Sequence, residues 1–240
     1  MSKLAVQLYT VREEASKDFI GTLEKVAALG YEGVEFAGFF DMPAQVLKEH
    51  LERLGLSAVG SHTSLEDLTD RLEEIIAYNK VIGNTHIVCP WSDVEDATSL
   101  EVLVNQLQKV ADRLKEEGMI LLYHNHDHEF KQIEGSYLLD QLFEKCQDLQ
   151  AEIDTFWVYR AGIDVKDYLT TQQDKIKLIH LKDGTAEKLT AIGEGTAPIQ
   201  TVMEMVKNLG LEWVIVENDE PTPSGLEDIE RSITYIKNKF

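Results

Sequence analysis

One phrase recurs along the chain: an amphipathic run, a glycine, then a short apolar stretch. It is written LEKVAALGYEGVEF, LKEHLERLGLSAVG, AYNKVIGNTHIVCP, ADRLKEEGMILLYH and MEMVKNLGLEWVIVE. Before the glycine the apolar residues keep helical spacing, as Leu23, Val26, Ala27 and Leu29 do in the first copy and Val202, Met205, Val206 and Leu209 in the last. Gly30, Gly55, Gly83, Gly118 and Gly210 therefore stand where a helix ends on a left-handed residue. The stretch that follows each is rich in Val, Ile, Leu or aromatics, as buried parallel strands are.

Eight such strands are expected, near Leu4–Tyr9, Gly33–Phe36, Ser57–Ser61, Thr85–Cys89, Ile120–His124, Glu152–Thr155, Ile176–His180 and Trp213–Val216. Neighbours start roughly 25 to 35 residues apart, the length of one strand–helix unit. Eight units in 240 residues predict a (β/α)₈ TIM barrel, an α/β fold occupying 1–240 as a single domain. An open doubly wound sheet uses the same units, but QLYTVRE stands after the first strand where a Gly-rich phosphate fingerprint would be. The polar EPTPSG stretch reads as the last loop on the functional face.

A net charge of −20 argues against nucleic acid as a partner, because such binding depends on neutralising phosphates. No apolar run is long enough to cross a bilayer and no secretory leader is legible, so a cytoplasmic chain without a membrane partner is expected. Cys89 and Cys146 lie in apolar-patterned segments and read as buried thiols rather than a disulfide. Oligomeric state is open, a homo-oligomer included.

In a barrel of this kind chemistry gathers where strands finish. Most of the expected strands end in groups that handle metals or protons: Glu35 on the second, His62 after the third, His124, Asn125 and His126 on the fifth. The sixth carries Glu152 and Asp154, the seventh His180, Lys182 and Asp183, the eighth Glu217 and Asp219. Residues two apart share a face of a strand. His124 is thus paired with His126, Glu152 with Asp154, His180 with Lys182, and Glu217 with Asp219. Carboxylates converging from several strands repel one another, and a divalent cation relieves that repulsion. Mixed carboxylate and imidazole donors suit Mn, Co, Mg or Zn. Tyr9, Trp91 and Trp157 stand at or just beyond strand ends, where aromatic rings can stack on the apolar faces of a sugar or simply pack under loops. His62 has two readings, contact with substrate hydroxyls or a second metal, and Glu35 is a candidate for a substrate hydroxyl. His128 and Glu129 are expected beyond the fifth strand, with His128 solvated.

These segments resemble the xylose isomerase-like TIM-barrel superfamily, the sugar phosphate isomerase/epimerase group that also contains inosose dehydratases and apurinic-site endonucleases. VQLYTVRE is similar to its first strand, GYEGVEF to its second and YHNHDHEF to its fifth. EIDTFWVYRAGID, IHLKDG and VIVEND are similar to its sixth, seventh and eighth. The resemblance spans nearly the whole chain. It implies one divalent metal ion held by four residues, three of which map to Asp154, His180 and Glu217. The fourth is normally a Glu on the fifth strand, where this chain has His124, with His126 as the other candidate.

The resemblance also implies a small-molecule carbohydrate substrate. Epimerases of the family use two metal-bound carboxylates on opposite faces of a keto-sugar, one removing the proton beside the carbonyl and the other returning it. With His124 in one of those places Glu217 remains as the base, and Lys182, His126 or Glu152 are candidates for the acid. An acid opposite a carboxylate base gives isomerisation or epimerisation through an enediolate if it protonates carbon, and elimination if it protonates a departing oxygen. A sugar isomerase or epimerase is the expected activity. The alternative is a lyase on a keto-sugar or keto-inositol, since inosose dehydratases share a His-rich fifth strand. A nuclease is disfavoured by the charge and by Phe156 and Trp157, which stand where that branch has a further metal-binding His. A sugar sensor without turnover is the fourth class, and His124 is its best support.

Overall fold

Strand β1 (Lys3–Gln7) pairs in parallel with β2 (Gly33–Phe36) on one side and with β8 (Trp213–Val216) on the other, and the second pairing closes the sheet into a barrel. Between them run β3 (Ser57–His62), β4 (His86–Cys89), β5 (Ile120–His124), β6 (Gln150–Asp154) and β7 (Ile176–Leu181), each parallel to its neighbours. The structure, a computed structural model, describes residues 2–240. The crossovers are carried by α1 (Phe19–Leu29), α2 (Ala44–Leu54), α3 (Leu72–Ile82), α4 (Ala97–Glu116), α5 (Leu138–Lys145), α6 (Val165–Thr171) and α7 (Ile199–Leu209), and α8 (Gly225–Lys239) follows the last strand. Among the described residues no helix is long and apolar enough to cross a membrane.

The five glycines of the repeated phrase all adopt φ between 66° and 92°, where an L side chain would be strained. Two strands differ from expectation by two residues at one end. Strand β1 stops at Gln7, whose side chain accepts the Tyr9 amide and turns Leu8–Val11 into a 3₁₀ helix. Strand β6 begins at Gln150 and gives way at Thr155, because Asp154 caps a short helix, Thr155–Arg160. Cys89 and Cys146 are free and buried, as expected.

Alternation along the strands divides the core in two. Ala5, Val59, Val88, Leu122, Leu178 and Ile215 fill the barrel interior, while the other face of each strand packs under the helices. Continuing two residues past Leu122, Leu178 and Ile215 leads to His124, His180 and Glu217. The apolar layer is therefore the platform beneath a layer of polar side chains. In β3 the pairing passes from Val34↔Ala58 to Glu35↔Gly60, so Val59 is an extra residue. That bulge lets both Val59 and His62 point inward, which strict alternation forbids. Gly60 is required beside it: a Cβ there would lie 2.2 Å from Oε1 of Glu35.

Candidate active site

Two carboxylates lie on the platform, both fully buried. Glu35 Oε2 accepts from Nε2 of Gln7 at 2.9 Å and stands 2.6 Å from Nε2 of His180. Glu152 Oε2 stands 2.8 Å from Nε2 of His62, 3.2 Å from Nδ1 of His124 and 3.2 Å from Nε2 of His180. Burying a carboxylate costs several kcal/mol, so the pair persists only because imidazoles compensate it. The remaining oxygens, Glu35 Oε1 and Glu152 Oε1, make no hydrogen bond.

Above them His124, Asp154, His180 and Glu217 each offer a donor atom within 4.8 Å of the others, all buried. His180 Nδ1 is 2.7 Å from Oε2 of Glu217, and His124 Nε2 is 3.9 Å from Oδ2 of Asp154. Asp154 is fixed from two directions. Asn125 Oδ1 accepts its amide at 3.0 Å, and Asp154 Oδ1 caps the short helix by accepting from Phe156 and Trp157. Oδ2 makes no hydrogen bond, although Lys182 Nζ is 3.0 Å away.

These observations fit a divalent ion in the centre of the quartet. Two carboxylates and two imidazoles are donors such an ion accepts, and Oδ2 of Asp154 is an orphaned anionic oxygen. The unused nitrogen of each histidine is turned to a buried carboxylate, Nδ1 of His124 to Glu152 and Nε2 of His180 to Glu35, the pattern that orients metal-bound imidazoles. His126 is not in the quartet. It belongs to a separate group with His128 and Glu129.

Lys182 is 1% exposed and stands 3.0 Å from Asp154, 2.8 Å from Glu217 and 2.9 Å from Asp219. Burial opposes its charge, but the three carboxylates prevail and hold its pKa well above the usual lysine value. Burial pushes the Asp154 carboxyl up to about 6, against the pull of Lys182 and His180. Glu217 behaves oppositely: Lys182 and His180 outweigh burial and keep it well below the carboxylate range. Burial opposes charge on His62 too, yet Glu35 and Glu152 hold that imidazole up at about 10. His126 is pushed down to about 3 by burial and by Lys182.

A cavity of about 490 Å³ opens over the quartet, lined among others by Tyr9, His62, Trp91, His124, His126, Glu217 and Asp219. Tyr9 and Trp91 are 42% and 51% exposed, so each offers a free ring face. A larger groove of about 660 Å³, at the other end of the barrel beside Phe240, has no comparable cluster of donors among the described residues. Tyr9, His62, His124, His126 and Glu217 thus reach the wall.

Four candidates, Glu35, Glu152, Trp157 and Lys182, lie away from the cavity wall. Glu35, expected at a substrate hydroxyl, and Glu152, a candidate acid, are both fully buried among the imidazoles and do not line the cavity. Trp157, expected to stack on a sugar, lies against Lys182 and His126 at 5.4 and 5.7 Å, with Arg160 on its ring at 5.3 Å. Lys182 is likewise covered, Asp219 lying between it and the cavity in contact and in the lining. His128 is only half-exposed and Glu129 is buried, accepting from the Tyr123 hydroxyl and the His126 amide at 3.0 and 2.8 Å.

Sequence reading missed Gln7, and it placed Asp183 among the groups that handle metals or protons, whereas its contacts are to backbone amides. Gln7 carried a signal, a polar residue two past inward-facing Ala5. Asp183 accepts four backbone amides, from Gly184 (2.8 Å), Gly193 (2.8 Å), Gly195 (3.0 Å) and Ala197 (3.1 Å), and so anchors the segment after β7.

Comparison with protein families finds a match to the xylose isomerase-like TIM barrel over residues 23–239. A comparison with curated protein sequences finds no match. Among solved structures, a sugar phosphate isomerase/epimerase from Parabacteroides distasonis superposes with a TM-score of 0.89 at 19% identity, covering 99% of this chain and 94% of that one. The probable 3-DHS dehydratase AsbF of Bacillus anthracis gives 0.80 at 12%, covering 99% and 100%. The IolI protein, solved with a bound zinc atom, gives 0.79 at 14%, covering 98% and 97%. At these identities the likeness is one of fold.

Proposed function

The chain belongs to the xylose isomerase-like TIM-barrel family, and on that premise we propose that it is a metal-dependent isomerase or epimerase of a keto-sugar or related polyol. The observation that carries this reading is the quartet of His124, Asp154, His180 and Glu217 beneath the cavity. The similarity to a named isomerase/epimerase and to a zinc-holding structure supports it. A divalent cation (Mn, Co, Mg or Zn) held by the quartet would supply positive charge for the carbonyl oxygen of the substrate, the charge that makes the neighbouring C–H acidic.

Glu217 is the base. Its carboxylate lines the cavity, is kept ionised by Lys182 and His180, and so can accept the proton beside the carbonyl. Lys182 lies beside Glu217 at 2.8 Å and takes the part of its counter-charge. His62 returns a proton: it lines the same cavity, and Glu35 and Glu152 keep its ring protonated. Glu152 and Glu35 position His124 and His180 through the ring nitrogens that face away from the quartet. Tyr9 and Trp91 present ring faces to the C–H face of a sugar.

One observation favours elimination as a second reading. His124 stands where the family pattern has a second carboxylate, so the two proton-handling groups are unlike, a carboxylate base and an imidazolium acid. That pairing also suits proton removal on one carbon and departure of a β-oxygen from the next, and one neighbour is named a dehydratase. Incubating the manganese-loaded protein with keto-sugars in D₂O tests both. Deuterium beside the carbonyl with an isomeric product supports the isomerase. A dehydrated product absorbing in the ultraviolet supports the lyase, and neither outcome across a broad ketose panel sinks the enzyme reading.

A further inference from the structure

We infer that Asp219 makes this cavity select uncharged carbohydrates by occupying the place where a phosphate group would meet Lys182. The inference rests on the carbohydrate reading above and goes on to name the substrate class. Lys182 is the lysine that reaches the site, and three carboxylates surround it within 3.0 Å; the His62 imidazolium on the wall is likewise held by Glu35 and Glu152 at 3.3 and 2.8 Å. Asp154 and Glu217 belong to the quartet. Asp219 does not. Its carboxylate comes from the loop after β8, lines the cavity and bonds Nζ of Lys182 at 2.9 Å.

An ammonium ringed by three carboxylates has its charge already balanced, and a phosphate dianion would also face the carboxylates of Glu217 and Asp219 across the cavity. The cations at the rim are similarly engaged. Arg12 donates to the Tyr9 and Asp219 carbonyls at 2.8 and 3.0 Å and lies over the Tyr9 ring at 4.1 Å. Arg160 lies over Trp157 and 3.9 Å from Asp127. The wall instead offers what an uncharged sugar uses: imidazoles and carboxylates for hydroxyls, and the exposed faces of Tyr9 and Trp91 for C–H groups. Backbone placement reinforces the role, because the bond from Arg12 pins residue 219 against Lys182.

Isothermal titration of the manganese-loaded protein tests this, with D-fructose, D-tagatose and D-psicose, each beside its 6-phosphate, and with inorganic phosphate. The native protein should bind a free ketose at least tenfold tighter than its ester. Asp219→Asn should gain at least tenfold in affinity for inorganic phosphate, and adding Lys182→Met should remove that gain. Phosphate held by the metal itself is common to all three proteins and cancels in the comparison. An ester bound by the native protein as tightly as its free sugar overturns the inference, and so does a folded Asp219→Asn variant without the gain. If that variant does not fold, the native comparison decides alone. Should no ketose bind while Asp219→Asn still gains phosphate affinity, the carbohydrate reading falls and the phosphate-excluding role of Asp219 stands.

Discussion

Nδ1 of His180 lies 2.7 Å from Oε2 of Glu217 while Nε2 of the same ring faces Glu35 at 2.6 Å. The imidazole is therefore held between a carboxylate in the quartet and one beneath it. Its orientation is fixed before anything binds, which is what a site must achieve if bound metal and substrate are not to reorganise it.

Glu217→Gln keeps the shape and one oxygen donor but loses the base. Turnover, followed by solvent deuterium entering the substrate, should fall about 10²–10⁴-fold, the usual contribution of a positioned base. Metal should still bind by titration calorimetry. Unchanged turnover would remove Glu217 from the role given to it.

Glu152→Gln cannot hold the imidazoles by charge. Loss of such a carboxylate partner lowers metal affinity about 10–100-fold. His124→Ala should lower it further, whereas His126→Ala, outside the quartet, should leave it unchanged. Manganese titrations of the three variants rank them, and a larger loss for His126→Ala would reassign the ligand on β5.

Stripping metal with a chelator should abolish turnover and lower the melting temperature. An ion at a hundred times its Kd stabilises by about 2.7 kcal/mol, equivalent to roughly 5–10 °C for a chain of this size. Restoring manganese should restore both, and a chelator with no effect on either would exclude the quartet as a metal site.

Asp228, which does not line the cavity, supplies a pH test. Burial pushes its carboxyl up to about 6 from 3.8, against its bond from Asn218 Nδ2 at 2.9 Å and the nearby Arg231. The folded state therefore binds a proton between about pH 4 and 6 that the unfolded state has released. Stability from this group falls as pH rises through that window and is level above it. Asp228→Asn should gain melting temperature relative to the native protein across the window and hold the gain at higher pH. A difference that does not vary with pH would contradict the shift.

The barrel was legible because its repeated phrase is local: helical spacing, a left-handed glycine and a buried strand all lie within about fifteen residues of one another. Strand alternation paired His124 with His126, Glu152 with Asp154, His180 with Lys182 and Glu217 with Asp219, and the resemblance to the family then implied Asp154, His180 and Glu217, with His124 or His126, as the set. Depth was not legible. Glu152 lies in the middle of β6, one inward rung before Asp154, and Glu35 lies within β2, so both sit below the cavity, whereas Glu217 follows the end of β8; heights on different strands also depend on the stagger between neighbours. The inward turn of His62 depends on a bulge at Val59 that exists only in the pairing of β3 with β2. The placement of Trp157 depends on the helix that Asp154 starts, which carries the indole against Lys182.

The seam between β1 and β8 has a consequence for biosynthesis. Tyr9 and Arg12 come from the first unit and Asp219 from the last, and the guanidinium of Arg12 joins carbonyls far apart in sequence, the longer of these links spanning 207 positions. Contacts so distant form late, after the entropy of closing the intervening chain has been overcome. A nascent polypeptide emerging from the ribosome therefore lacks this cavity until its eighth strand docks, and truncated translation products cannot acquire it by degrees.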